Sequence, residues 1–77
     1  MRYFIVYTNH DRKNIHFYRV GGGLTKRIEN AATYTEEQAF MIRNSYPAYI
    51  KVYDVNLFSG FEGKVPVAFI KEIEDVL

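Results

Sequence analysis

The sequence predicts a small α+β domain of order β-β-α-β-α, with a three-stranded, mainly antiparallel sheet and both helices packed on one face. Three observations carry this reading: aromatic and β-branched runs at both ends of a polar turn, one stretch with helix start and stop signals, and a tail with helical periodicity. The chain is 77 residues, one domain over 1–77, and it contains no cysteine, so neither a disulfide nor a thiolate zinc site can staple it. Its stability must come from packing, and the means are present: 48% of the residues are hydrophobic and 17% aromatic, with seven Tyr and six Phe. A buried aromatic removes about 150–250 Å² from water, so a few suffice for a core of this size.

Residues 2–8, RYFIVYT, form the first predicted strand, because β-branched and aromatic side chains suit a pleated surface. NHDRKN is a cluster of turn formers, and IHFYRV at 15–20 is the second strand, which makes the pair a hairpin. Three consecutive glycines at 21–23 then end the strand, since they are costly to order in any regular element. In LTKRIENAATY, Leu24 and Ile28 are spaced for one helical turn, but Asn30 and the absence of a cap support a loop or a single turn.

The helix signal is ATYTEEQAFMIRN. Thr35 is the expected N-cap and Gln38 its capping-box partner, with Tyr34 and Ala39 placed for a hydrophobic staple. Glu36 and Glu37 favour the positive end of the helix dipole. The body carries Ala39, Phe40, Met41 and Ile42, and Pro47 stops it by forcing Tyr46 out of helical geometry. Residues 48–55 alternate as a third strand, with Ile50 and Val52 on one face and Tyr49, Lys51 and Tyr53 on the other. In the tail, Phe69, Ile70, Ile73, Val76 and Leu77 share one helical arc opposite Lys71, Glu72, Glu74 and Asp75, and Pro66 suits the first turn.

No catalytic constellation emerges. His10 and His16 are the only imidazoles, with Asp11 the one acid nearby, and their spacing does not force convergence on a metal. Glu36 and Glu37 point about 100° apart on a helix, and no hydroxyl sits in a nucleophile-elbow context. GGGLTKR lacks the spacing and ending of a phosphate-binding loop. These readings argue against an enzyme, a cofactor or a metal. Ten basic residues against nine acidic ones give no excess of the kind that drives non-specific nucleic-acid binding, although the first 27 residues hold six cations and one acid. MRYFIVYTNH alternates like a strand and not like an export signal, and no run approaches a membrane span, so the expected location is cytoplasmic with no membrane partner.

The tyrosines are the most suggestive feature. Tyr3 and Tyr7 share a face of the first strand, Tyr18 and His16 share one of the second with Arg19 next in sequence, and Tyr49, Lys51 and Tyr53 share a face of the third. On an uncovered sheet face, the seven of these other than His16 would make a protein-binding surface, for which Tyr and Arg are common anchors. The alternative is a single-stranded nucleic-acid platform with bases stacked on the rings. The competing bland reading for each tyrosine is core filling. A homodimer covering the open face or an edge strand is a further expectation.

The pattern Thr25, Ile28, Ala31 or Ala32, Tyr34, Thr35, Glu36, Glu37 and Ala39, following the strands RYFIVY and FYRV, resembles that of many short proteins encoded by bacteriophages. The resemblance spans about the first 45 residues and implies a small accessory protein, of a kind that binds and modulates a host protein. It carries over no functional residue.

Overall fold

Strand β1 (Arg2–Tyr7) is the axis of the fold, and both of its faces are apolar. The computed structural model of the chain describes residues 1–8 and 13–76, with side chains through Glu74. Residues 9–12 of the expected turn, including His10, Asp11 and Arg12, lie outside the described residues, as do Leu77 and the side chains of Asp75 and Val76. β2 is His16–Tyr18, β3 Leu24–Thr25, β4 Thr33–Thr35 and β5 Ile50–Asp54; the helices are α1 (Glu36–Ser45) and α2 (Val67–Val76).

β1 pairs antiparallel with three strands. β5 runs beside Tyr3 to Tyr7, β4 beside Arg2 to Phe4, and β2 beside Val6 and Tyr7. A residue has one neighbour per edge, so β5 takes one whole edge while β4 and β2 divide the other between them. β2 then leaves β1 and pairs with the chain just before β4: the N–H of Ala32 donates to Tyr18 O at 2.8 Å and that of Val20 to Asn30 O at 3.1 Å. This exchange of partners curls the sheet. β3 returns along β2 through a tight loop in which Gly21, Gly22 and Gly23 hold φ of +86°, +109° and +78°, a conformation that only glycine adopts freely.

Five strands replace the expected three. The additional ones, β3 and β4, are two and three residues long and fall in the stretch read as a loop or single turn; that turn exists as a 3-10 turn at Ile28–Asn30. The expected helices are present. Thr35 caps α1, its Oγ1 accepting from Gln38 N–H at 3.3 Å while Gln38 Oε1 accepts from Thr35 N–H at 3.2 Å. α1 stops at Ser45, with Tyr46 at φ −137°, as a following proline demands.

The placement of the helices differs from expectation. They lie on opposite faces of the sheet. Even-numbered Phe4 and Val6 join Ile15, Phe17, Tyr53, Phe58, Val65 and Ile70 in the larger core, under α2. Odd-numbered Ile5 packs with Ala39 and Ile50 in a smaller core under α1, flanked by Tyr3, Tyr7, Tyr18 and Tyr34. The physical reason is the unbroken apolar run of β1, which leaves no face that water could cover cheaply. In the larger core the rings of Phe4, Phe17 and Phe58 meet edge-on at centroid distances of 5.2–5.7 Å, and Phe69 of α2 closes on Phe58 at 5.5 Å. Backbone hydrogen bonds brace the segment before α2: Ile15 N–H donates to Val65 O at 2.9 Å and Ile28 N–H to Gly63 O at 3.0 Å. Within α1, Met41 is 63% exposed and belongs to neither core.

Candidate functional site

α1 has ten residues and lies over β1, β4 and β5, which leaves the β2–β3 end of the same face uncovered. An open groove of about 760 Å3 occupies that end. Its floor is Tyr7, Tyr18 and Tyr34, each half-buried, and its wall is the β2–β3 turn with Arg19, Val20 and Leu24. The tyrosines converge because β1, β2 and β4 are neighbours and these positions point to the α1 face. Tyr18 and Tyr34 meet edge-on at 6.5 Å, and Tyr7 stacks on Tyr49 at 6.1 Å with 30° between the rings.

Tyr18 is the centre of this cluster. Burial raises the pKa of its phenol above the ordinary value, and the neighbouring phenols of Tyr34, Tyr46 and Tyr7 raise it further. Burial does the same to Tyr34. Both are therefore neutral hydrogen-bonding groups at physiological pH and not phenolates. Among the described residues Arg19 is the one charged side chain lining the groove, and its guanidinium has no ion pair or hydrogen bond. Val20 is 64% exposed at the lip. Tyr46 and Tyr49, both exposed, extend the aromatic surface past the end of α1.

The seven residues expected to share one surface do not. Tyr7, Tyr18, Arg19 and Tyr49 come together at the groove and its rim. Tyr3 sits at the far end of β1, its ring 5.6 Å from that of Phe40. Lys51 and Tyr53 lie on the opposite face. Tyr53 is a core residue, with its hydroxyl 2.6 Å from Glu74 Oε1, and Lys51 pairs with the same carboxylate. Tyr49 escapes the alternation that grouped it with them because it precedes β5 and turns its ring onto Tyr7. Tyr34 is the residue that sequence reasoning missed: read as a staple for α1, it also floors the groove. The signal that could have found it is the TYT alternation, which marks a short strand.

Among the described residues no group of three or more His, Asp or Glu side chains could hold a metal ion, and no helix is long and apolar enough to cross a membrane. No protein-family model, curated protein or solved structure matches the chain.

Proposed function

We propose that this protein is a non-enzymatic protein-binding module whose Tyr7–Tyr18–Tyr34 groove receives an extended, acidic segment of a partner. The observation that carries the reading is the uncovered aromatic end of the α1 face with an unpaired Arg19 beside it. Tyrosines offer large contact area with two rotatable bonds and a hydroxyl for orientation, and an unpaired arginine at the rim selects a carboxylate. The phage-like pattern of the first 45 residues fits an accessory factor that modulates a host protein.

Single-stranded nucleic acid is the less favoured occupant. It would stack on Tyr49 and Tyr7, but binding along a strand needs several cations tracking the phosphates, and the groove offers one. A random peptide library selected on the immobilised protein separates the two readings. Selected peptides should pair an aromatic or aliphatic residue with Asp or Glu, and Arg19→Glu should weaken them about tenfold, or ~1.4 kcal/mol. Oligonucleotides that bind tightly and salt-sensitively while no peptide is enriched would overturn the proposal.

A further inference from the structure

A second concavity lies on the opposite face, between β1, β5 and α2. Its volume is about 380 Å3, within the roughly 300–1,000 Å3 of small-molecule pockets. It is narrower than the tyrosine groove, and its floor is apolar: Val6 and Ile15 from the sheet side and Ile70 from α2, all buried. Beside this floor the described lining residues include the polar side chains of Asn14, Lys51, Tyr53, Lys71 and Glu74, an arrangement that can grip one end of an amphipathic molecule.

Among the described residues the charged groups lining the cleft are Lys51, Lys71 and Glu74. Glu74 is already engaged, since its Oε1 accepts from the Tyr53 hydroxyl at 2.6 Å and from Lys51 Nζ at 3.3 Å. The Tyr53 bond and Lys51 hold the Glu74 carboxyl below its usual range, so it stays an ionised carboxylate already matched to those two donors. Lys71 precedes Glu74 by three positions on α2, which puts both on one face of the helix. Among the described residues Lys71 has no ion pair and no hydrogen bond. An apolar floor with one uncommitted ammonium at its mouth is complementary to an apolar body ending in a carboxylate.

We infer that this cleft binds a small amphipathic carboxylate, its apolar body on Val6, Ile15 and Ile70 and its carboxylate on Lys71. Among the described residues the site shares Tyr7 with the groove on the α1 face, but its floor and Lys71 lie on the opposite face, and it does not rest on the function proposed for the groove. Among the described lining residues two ammonium groups stand against one committed carboxylate, which disfavours a cation. A neutral ligand of the same shape would gain the apolar contact but leave Lys71 unpaired.

The test is a two-dimensional amide NMR titration of the full chain with 3-phenylpropionate, and with the neutral 3-phenylpropanamide as comparison. The expected result is saturable shifts centred on Val6, Ile15 and Ile70, with a Kd on the order of 1 mM or tighter. The amide should bind at least fivefold more weakly, and Lys71→Glu should weaken the carboxylate at least tenfold. Lys71 is exposed, so this variant should keep the wild-type spectrum otherwise. Arg19→Glu, in the other concavity, should leave the titration unchanged. The inference is overturned by linear, unsaturable shifts, by equal binding of acid and amide, or by loss of binding in Arg19→Glu with Lys71→Glu unaffected.

Discussion

The hydroxyl of Tyr53 donates a 2.6 Å hydrogen bond to Glu74 Oε1, tying β5 to α2 across 21 positions of sequence. Lys51 reaches the same oxygen at 3.3 Å. Because Tyr53 is a core residue and Glu74 is on the surface, this is the polar seam where the helix closes on the sheet. Tyr53→Phe should cost about 1 kcal/mol at neutral pH, the range for a partly exposed bond to a charged group, read by urea unfolding.

The same seam sets a pH dependence. Glu74 titrates below its ordinary 4.5 in the folded state, chiefly through the Tyr53 bond, so its stabilisation is complete above that value and fades as the pH falls below it. Tyr53 is raised above its ordinary 10.0, first by burial and then by Glu74; its contribution is complete below pH 10 and lost on further alkalinisation. The stability difference between wild type and Tyr53→Phe should therefore narrow in acid, and only the wild type should lose this contribution in alkali. A difference that is constant from pH 3 to 11 would refute this, as measured by denaturant unfolding across about that range.

Glu29 makes a second seam. Its Oε2 accepts from Gly63 N–H at 3.1 Å and its Oε1 from Arg27 Nε at 2.8 Å, joining the 3-10 turn to the segment before α2. Its carboxyl is held below the usual range by its own backbone N–H first, then by Gly63 and Arg27. Glu29→Gln should speed amide exchange at Gly63 several-fold near neutral pH, with the effect vanishing in acid where the wild-type carboxylate is protonated.

α1 offers a contrast between two neighbouring changes. Thr35→Ala removes the capping box and should cost about 1 kcal/mol, whereas Thr35→Asp should retain most of it. Met41→Ala should stay within about 0.5 kcal/mol of wild type, because its side chain is exposed. Thermal denaturation of the three variants checks the order.

Truncation after Pro66 removes α2 and uncovers Phe58 and Phe61, whose rings lie 5.5 and 4.7 Å from that of Phe69. Burial of Ile70 contributes about 1.5–3 kcal/mol and the partly buried Phe69 and Ile73 add to it, against a net stability of roughly 5 kcal/mol for a domain this small. The shortened chain should not melt cooperatively. Cooperative melting near the full-length temperature would show that α2 is not part of the core.

Both helices, the cap and stop of α1, β1, and the pairing of β1 with β2 were legible in the sequence alone. Each depends on residues a few positions apart: Thr35 with Gln38, Pro47 after Tyr46, and the arc of Phe69, Ile70 and Ile73. The near-continuous apolar run YFIVY even carried the news that both sheet faces would be covered, a sign outweighed in the sequence reading by the preference for a half-open sheet. The tertiary structure alone decided β3 and β4, since two- and three-residue strands are too short to show a period and exist because β1 and β2 offer them unpaired edges. It also decided the candidate site. Alternation says that Tyr49 and Tyr53 share a face, and geometry sends one onto Tyr7 and the other into the core. Which tyrosines meet water depends on how far a ten-residue helix reaches across a curled sheet. That distance is set by strand pairings remote in sequence, and no local pattern encodes it.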